Sequence, residues 1–336
     1  MPDPPKDGIT SVRFGWTTDR VLASSWDTYL HLYDAGSNSK MLSIELGAPV
    51  MDCAFGTNDT VSFSGGMDQT ICMHNLETNQ SQELGVHSDT IRCVNFSPLT
   101  GCVYTGGWDG MLKAWDLRGG ASAAGAGAQE SKYGVAATLT HEGAKIYTMD
   151  IHEYKIIVGM SQRLIHVYDI RDLSKPEQIR ESSLLNQTRS IRFHPNGETF
   201  GLTAVEGRVA IEIMDPSQEA QANKYAFKCH RKVVNGEQLL YPVNAIAYHP
   251  VYGTFATGGC DGLVNTWDGV MKKRLATFPS FDNSIAGLAF NRTGELLAVA
   301  ASYTWEEGEK DERPADELYV VRPNESTVRP KVAANK

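Results

Sequence analysis

One short hydrophobic pattern dominates the chain. Apolar and polar residues alternate from Ile91 to Phe96, a second β-rich run ends in GGWDG at Gly106–Gly110, and a third run ends in Trp115-Asp116. Alternation with period two is typical of strands that bury one face, and glycine- and aspartate-rich steps are typical of tight turns. His87–Asp116 therefore predicts three strands of a sheet that is too small to bury both its faces alone.

This pattern occurs seven times. The inner strands read ITSVRF, VMDCAF, IRCVNF, IYTMDI, TRSIRF, VNAIAY and IAGLAF. The strand-closing dipeptides are Tyr33-Asp34, His74-Asn75, Trp115-Asp116, Tyr168-Asp169, Met214-Asp215 and Trp267-Asp268, and Leu318–Val321 finishes the last unit. The first steps match the WD-repeat period of roughly 40–45 residues. Because such units close into a ring, the sequence predicts an all-β fold, a seven-bladed WD-repeat β-propeller that forms a single domain over residues 1–336.

Insertions lengthen the later repeats without changing their number. Residues 119–132 open with GGASAAGAGA and predict a flexible loop. Cys229–Tyr241 extends a connection in the fifth unit, and residues 305–317 (WEEGEKDERPADE) predict a charged loop. We expect the loops at 119–132 and 305–317 to be solvated and to lie away from any binding site.

The seventh blade has no obvious outer strand. A ring propeller usually takes this strand from the other terminus, but the chain opens with MPDPP and reaches its first strand at Ile9. Prolines are poor strand residues. We expect Ser326–Val332 to complete the blade, or the blade to keep three strands, with no paired strand in residues 1–8.

Four residues of the third unit match a buried polar network of WD repeats. We expect His87, Thr105, Asp109 and Trp115 to form a hydrogen-bonded tetrad that ties neighbouring turns together, because buried polar groups must be paired. This role is structural and not catalytic. Other units keep only part of the set, for example Thr257, Asp261 and Trp267.

Composition narrows the classes of function. The formal net charge of −9 at pH 7 does not favour general attraction to nucleic acid or anionic membranes. No apolar run reaches the roughly 20 residues of a membrane span, and no secretory signal is apparent, so we expect a soluble intracellular protein. The six cysteines form no C-x-x-C pair and predict buried free thiols. No Walker loop, H-E-x-x-H or G-x-S-x-G motif is present, so we expect no enzyme and no metal or cofactor site.

The fifth unit breaks the repeat pattern with cations. Arg189 stands near the start of its inner strand, Arg208 opens its third strand, and Arg231 follows its last strand. Arginine forks match carboxylates and phosphates, so the three predict an anion site on one face. The alternative is unrelated surface arginines that pair with acids such as Glu206. The residues equivalent to Arg189 are Thr10, Met51, Arg92, Tyr147, Asn244 and Ala286.

The same face should carry two tryptophans. Trp26 and Trp108 each precede a turn aspartate, where other units have Met67, Val205 and Cys260. A large aromatic side chain at a solvent-facing turn either packs against its own molecule or meets a partner. Both alternatives stay open from the sequence.

Several segments resemble one family of WD-repeat proteins, the mitotic-checkpoint group named "budding uninhibited by benomyl". These segments are SSWDTYLHLYD, SGGMDQT, RESSLLNQTRSIR, EGRVAIE, YAFKCHR, YPVNAIAYHP and ATGGCDGLVNTWD. The resemblance runs from about Asp7 to Pro330. The related propeller of messenger-RNA export shares EGRVAI, FKCHR and ASYTW, whereas RESSL and GGWDGMLKAWD favour the checkpoint branch.

The resemblance implies a monomeric, non-enzymatic adaptor of the spindle assembly checkpoint, found in the nucleus, at kinetochores and in the cytoplasm. Members of the family bind GLEBS segments of a checkpoint kinase and its pseudokinase relative, and phosphorylated MELT-type repeats of the kinetochore scaffold. The motifs T-R-x-I-R, D/E-G-R-V-A and C-H-R assign anion binding to Arg189, Arg208 and Arg231. The S-W-D tryptophans match Trp26 and Trp108. The alternative is an export propeller that binds a nuclear-pore GLEBS segment and RNA.

Overall fold

Antiparallel sheets follow one another along the chain and form a seven-bladed β-propeller, as the repeats predicted. The computed structural model describes residues 1–118, 135–141, 143–310 and 312–331. The predicted loop at 119–132 therefore lies outside the described residues. Each blade begins with its inner strand beside the central channel, and the following strands step outward.

Blades one to three each have four strands. Blade one contains β1 (Ile9–Phe14), β2 (Arg20–Ser25), β3 (Tyr29–Asp34) and β4 (Ser39–Glu45). Blade two contains β5 (Val50–Phe55), β6 (Val61–Gly66), β7 (Thr70–Asn75) and β8 (Gln80–Val86). Blade three contains β9 (Ile91–Ser97), β10 (Cys102–Gly107), β11 (Met111–Asp116) and β12 (Val135–Thr140).

Blades four to six repeat this arrangement, with a hairpin inserted before blade six. Blade four contains β13 (Ile146–His152), β14 (Lys155–Met160), β15 (Leu164–Asp169) and β16 (Gln178–Glu181), with a 3-10 turn at Ser161–Arg163. Blade five contains β17 (Thr188–Phe193), β18 (Thr199–Ala204), β19 (Arg208–Ile213) and β20 (Tyr225–Lys228), with helix α1 at Gln218–Gln221. The separate hairpin consists of β21 (Arg231–Val234) and β22 (Glu237–Leu240). Blade six contains β23 (Val243–Tyr248), β24 (Phe255–Gly259), β25 (Val264–Asp268) and β26 (Lys273–Thr277).

Blade seven is shorter than the others. It contains β27 (Ile285–Phe290), β28 (Leu297–Ala301) and β29 (Glu317–Val321), and helix α2 follows at Glu325–Val328. Of the two closures expected from the sequence, completion by Ser326–Val332 is wrong, because α2 forms there and Val328 accepts a hydrogen bond from Thr254 in blade six. Blade seven keeps three strands among the described residues, and residues 1–8 form no strand.

The hydrophobic core lies between neighbouring blades. Phe63 and Ile71 of blade two, for example, pack with Val94 and Trp115 of blade three in one buried cluster. Successive side chains of a strand point to opposite faces of its sheet. Each face packs against one of the two neighbouring blades. All six cysteines are free thiols, as predicted, and four of them are buried.

A β-bulge repeats near the start of the inner strands. In blade five the register shifts between Thr188 and Ser190, so Arg189 is left without a partner on β18. A bulge adds one unpaired residue and turns its side chain away from the regular pleat. The bulged residues of the seven blades are Thr10, Met51, Arg92, Tyr147, Arg189, Asn244 and Ala286. The β-bulge thus directs one side chain per blade toward the end of the channel.

Polar networks hold the turns between strands. In blade three, His87 lies 3.0 Å from Asp109 and 2.7 Å from the Thr105 hydroxyl, and the Trp115 indole N–H donates to Thr105 at 2.8 Å. The four residues expected as a tetrad thus form one hydrogen-bonded chain. Trp115, at the end of this chain, is fully buried.

Blade six has a complete network of the same kind, which the sequence reading had left incomplete. His230 lies 2.8 Å from both Asp261 and Thr257, and the Trp267 indole N–H donates to Thr257 at 2.9 Å. The histidine was missed because the hairpin β21–β22 separates it from the inner strand of blade six.

Candidate functional site

The bulged residues line a cavity at one end of the central channel. We call this end the turn face, because the turns between second and third strands lie there, and we call the cavity the mouth cavity. It has a volume of about 520 Å³. Its walls include the bulged residues Thr10, Met51, Arg92, Arg189, Asn244 and Ala286 and the tryptophans Trp26, Trp108 and Trp305. The repeat thus builds a shared opening from the same position of six blades, and Tyr147 of blade four is not among its walls.

Trp26 and Trp108 occupy the same place in the turns of blades one and three. Each backbone N–H donates at 2.9 Å to the carbonyl oxygen of the residue just before the inner strand of its blade, Gly8 for Trp26 and Thr90 for Trp108. The Trp26 side chain is 39% exposed, so neighbouring blades do not cover it. Both rings face the mouth cavity, and this geometry favours contact with a partner over local packing.

The indole of Trp108 is held from one side and unsatisfied at its nitrogen. The Lys145 ammonium lies 5.1 Å from the ring centre, within the range of a cation–π contact. The indole N–H is buried and has no hydrogen-bond acceptor among the described residues. Because a buried donor without an acceptor is costly, a shift of the ring that exposed this N–H would let it donate to a carbonyl or carboxylate of a ligand.

Arg189 brings positive charge to the same cavity. Its Nε atom is buried and finds no acceptor within the described part of the chain. Burial lowers the pKa of the Arg189 guanidinium, and the positive charge of Arg92 lowers it further. An arginine stays protonated even so. The mouth cavity therefore combines aromatic walls with two arginines that an anion would stabilise.

Arg208 opens β19 at the blade-five turn, by which we mean residues 205–208. It stands directly across from Lys228 on β20. Neither side chain has a hydrogen bond or ion pair among the described residues, and like charges at directly opposed positions repel each other. The turn requires glycine at position 207. Its φ of +62° is unfavourable for other residues, and a Cβ there would lie 3.0 Å from the carbonyl oxygen of Cys229.

Arg231 is tied to the blade-five turn from outside. Its guanidinium donates to the carbonyl oxygens of Glu206 at 2.9 Å and Gly207 at 3.2 Å, and to the Gln238 side chain at 3.3 Å. Arg231 follows directly on His230, which the blade-six tetrad holds in place. That tetrad therefore positions an arginine of the candidate site.

The three arginines predicted from the sequence lie at one end of blade five but form two groups. Arg208 and Arg231 share the blade-five turn, whereas Arg189 faces the mouth cavity with Trp26 and Trp108. None of the three pairs with a carboxylate among the residues that the structure describes. The alternative of pairing with Glu206 is wrong, because that carboxylate accepts from Leu185 and Asn186 instead.

Two cations of the site were not singled out from the sequence. Arg92 occupies the bulge of blade three, as Arg189 does in blade five, and the repeat alignment already contained this signal. Lys228 became visible only through its strand pairing with Arg208. Arg192, also on β17, donates to the carbonyl oxygens of Ile191 and Met149 inside the channel, away from the turn face.

The charged loop at 305–317 does not lie away from the site, so that expectation is wrong. Trp305 lines the mouth cavity together with Tyr303 and Thr304. The Glu306 carboxylate folds the loop inward by accepting from the hydroxyls of Thr304, at 2.8 Å, and Ser284. The many charged residues of the loop predict solvation, but the Glu306 carboxylate is bound within the protein by these hydrogen bonds.

Two features are absent from the residues that the structure describes. No group of three His, Cys, Asp or Glu side chains in them could hold a metal ion. Nor does any helix in this part of the chain combine the length and apolar character needed to cross a membrane.

Comparisons with known proteins agree with the fold. The model for "Nucleolar protein 10-like, N-terminal domain" matches residues 16–235, and "WD domain, G-beta repeat" matches residues 226–268. Mitotic checkpoint protein BUB3.1 of Arabidopsis thaliana is 45% identical over 98% of this chain and 94% of its own length. Mitotic checkpoint protein bub3 of Dictyostelium discoideum is 40% identical over 94% of this chain and 92% of its own length. The poly(A)+ RNA export protein of Schizosaccharomyces pombe is 32% identical over 91% and 84%.

Proposed function

Because the chain belongs to the Bub3 family of mitotic checkpoint proteins, we propose that it is a non-enzymatic, monomeric adaptor of the spindle assembly checkpoint. It binds GLEBS segments of a checkpoint kinase and its pseudokinase relative, and phosphorylated MELT-type repeats of the kinetochore scaffold. In this way it recruits the kinases to unattached kinetochores. Its places of action are the nucleus, the kinetochore and the cytoplasm.

The observation that carries the proposal is the unpaired charge at the blade-five turn. Arg208 and Lys228 face each other without a carboxylate, and Arg231 is anchored beside them. A phosphothreonine brings about −1.5 to −2 charges and three acceptor oxygens. It would relieve the repulsion between Arg208 and Lys228 and accept bidentate hydrogen bonds from a guanidinium.

The mouth cavity suits the second ligand. A GLEBS segment offers glutamates and apolar residues in one stretch, and the cavity offers arginines between indole rings. Glutamate oxygens would approach Arg189 and the unsatisfied indole N–H of Trp108, while apolar side chains would pack on Trp26. The two ligands would thus use neighbouring parts of one face.

Binding of a MELT-type peptide tests the phosphate assignment. We expect the phosphorylated peptide to bind more tightly than the unphosphorylated one, and Arg208→Ala with Arg231→Ala to remove the difference. Each charge-assisted hydrogen bond is worth about 1.5–3 kcal/mol, which corresponds to about 10- to 150-fold in Kd. Titration calorimetry at fixed ionic strength measures both peptides on both proteins.

Arg118→Ala is the matched control for this experiment. It removes one positive charge, as Arg208→Ala and Arg231→Ala each do, but from an exposed residue that pairs with Asp116 at the other end of the propeller. We expect it to leave the phosphate preference unchanged. Equal affinity of the two peptides for the unmodified protein would refute the proposal.

Binding of a GLEBS peptide tests the mouth cavity. Trp26→Ala and Trp108→Ala should weaken this peptide and leave the phosphorylated MELT peptide largely unaffected. Trp16→Ala is the control, because Trp16 is 51% exposed and lines the opening at the opposite end of the channel. If Trp16→Ala weakened the GLEBS peptide as much as Trp26→Ala, the ligand would bind elsewhere.

A further inference from the structure

The central channel narrows beneath the mouth cavity into a second space, which we call the channel cavity. It has a volume of about 50 Å³, whereas one water needs about 10–15 Å³ of such space. Its walls include four arginines, Arg13, Arg92, Arg189 and Arg192. Because the same walls contain a single carboxylate, that of Asp52, positive charge dominates this part of the channel.

The inner strands explain why two of these cations come from blade five. The bulged residue and the residues one and three places after it line the channel cavity, and in blade five these are Arg189, Ser190 and Arg192. The residues that correspond to Arg192 in the other blades are Arg13, Ala54, Asn95, Asp150, Ala247 and Ala289. Blade five alone has arginine at both the bulge and the third place after it.

One of the four arginines is neutralised inside the channel. The Nη2 atom of Arg13 lies 3.2 Å from the Asp52 carboxylate. That carboxylate also accepts from the N–H of Val94 at 2.9 Å. The other three arginines form no ion pair among the described residues.

Two further carboxylates lie nearby and do not remove this excess of positive charge. Asp150 lies toward the opposite opening and accepts from the Phe193 N–H at 2.7 Å. Glu306, at the mouth cavity, accepts from the hydroxyls of Ser284 and Thr304. Neither forms an ion pair with a channel arginine among the described residues. Even with Asp150 counted, the channel holds four guanidinium groups and two aspartates.

The free polar groups of the walls are hydrogen-bond donors. A guanidinium has five N–H groups. Arg92 and Arg192 donate only to backbone carbonyl oxygens, each through Nη1, and Arg189 has no hydrogen bond within the described part of the chain. The hydroxyls of Ser11 and Ser190, which also line the channel cavity, have no partner there either. A negatively charged acceptor would match this set of donors.

Burial makes the uncompensated charge costly. It lowers the pKa of the Arg192 guanidinium, and the positive charge of Arg13 lowers it further. An arginine stays protonated even so, and a buried charge without a counter-charge destabilises the fold. Water would accept the hydrogen bonds and leave the charges uncompensated, whereas an anion would do both.

We propose that the channel cavity binds one small inorganic oxyanion of the phosphate or sulfate class, held by Arg92, Arg189 and Arg192 and by the hydroxyls of Ser11 and Ser190. The ion joins blades one, three and five, which are not neighbours in the ring, and so stabilises the propeller from inside. A peptide carboxylate in the mouth cavity would share Arg189 with it. Arg192 does not line the mouth cavity and belongs to the oxyanion alone.

Thermal unfolding of the full chain tests the ion in solution. Inorganic phosphate replaces chloride at constant ionic strength, and no peptide is present. Because binding to the native state raises its stability with the logarithm of the ligand concentration, we expect the midpoint of unfolding to rise by about 2 °C for each tenfold increase in phosphate above its Kd.

A matched pair of variants locates the effect. Arg192→Gln removes a cation of the channel cavity and should abolish the rise in the unfolding midpoint. Arg208→Gln makes the same chemical change at the blade-five turn, where phosphate would also find an arginine, and should leave the rise intact.

Anomalous scattering from selenate shows the ion directly. Selenate has the shape and charge of sulfate, and crystals of the unmodified protein grown with it should give an anomalous peak between Arg92, Arg189 and Arg192. Because this measurement needs no variant, it remains decisive if Arg192→Gln does not fold.

Three results would overturn the proposal. A midpoint that rises in proportion to the phosphate concentration would be the general effect of an excluded salt. An equal rise in Arg192→Gln would place the ion elsewhere on the protein. A selenate peak in the crystal without stabilisation in solution would mean an adventitious ion only. None of these results bears on phosphopeptide binding, which depends on Arg208 and Arg231.

Discussion

The turns of blades three and five occupy equivalent places and are stabilised in different ways. In blade three, the Asp109 carboxylate accepts from His87 and from the N–H groups of Ser88 and Met111, so the turn is satisfied by its own residues. The blade-five turn has no histidine-linked network among the described residues: its Glu206 carboxylate accepts only from Leu185 and Asn186. Arg231 holds its carbonyl oxygens instead, and Arg208 is left without a polar partner among the described residues.

Equivalent turns of the repeat thus contribute differently to the stability of the fold and to ligand binding. A turn that satisfies its own polar groups stabilises the ring and offers little to a ligand. A turn that carries unpaired cations lowers stability slightly and offers binding energy instead. Matched substitutions in the two turns can test this difference. Those in blade three should mainly lower the free energy of unfolding, and those in the blade-five turn should mainly lower the affinity for the peptide.

Removal of the Trp115 side chain from the blade-three tetrad should have the largest effect. Trp115 is 1% exposed and packs between blades two and three. Trp115→Ala should lower the free energy of unfolding by about 3–5 kcal/mol, measured by urea denaturation. A loss below about 1 kcal/mol would mean that blade three does not depend on its tetrad.

The two histidines of the tetrads should separate stability from binding. His87→Ala and His230→Ala each break a buried network and should each lower the free energy of unfolding by about 1–3 kcal/mol. Only His230→Ala should also weaken the phosphorylated MELT peptide, since His230 positions Arg231. Equal peptide affinity of the two variants would show that Arg231 does not need the blade-six tetrad.

Acid should destabilise blade three through the Asp109 carboxylate. Burial alone would raise the pKa of Asp109, but hydrogen bonds from His87 and from two backbone N–H groups lower it to about 2. A carboxylate with a lowered pKa stabilises the fold above its unfolded pKa near 4 and loses this contribution as the pH falls toward 2. Asp109→Asn should flatten the decline in the free energy of unfolding between these pH values, and Arg208→Ala should not.

The smallest effect on stability is expected at the blade-five turn. Arg208→Ala removes a half-buried cation that opposes Lys228, so the free energy of unfolding should stay within about 0.5 kcal/mol while phosphopeptide affinity falls. Thermal unfolding and peptide titration of the same sample give both values. A clear destabilisation would place Arg208 among the structural residues.

Most of the fold was predictable because the repeat carries it. Seven inner strands with a shared pattern require a closed ring, and the strands observed in blades one to six follow that pattern. Blade closure was less accessible. The sequence from Ser326 can be read as a strand or a turn, and only tertiary contacts with Thr254 and Thr266 select the helix there.

The candidate site was predictable where one blade differs from its siblings at an aligned position. Arg189 and Arg208 stand out in this way. His230 did not, because an inserted hairpin shifts it away from its expected distance to blade six. Trp305 did not either, because its neighbours are charged and the bonds of Glu306 that fold the loop inward depend on residues far apart in the chain.

The junction between blades one and seven joins parts of the chain that are made at different times. Ile9 donates to the hydroxyl of Ser302, 293 residues further on, and Val12 packs with Ala298, Ala300 and Leu318. During translation the face of blade one that packs against blade seven therefore stays exposed until nearly the whole polypeptide has left the ribosome. A chaperone that shields that flank would be needed longest at slow translation.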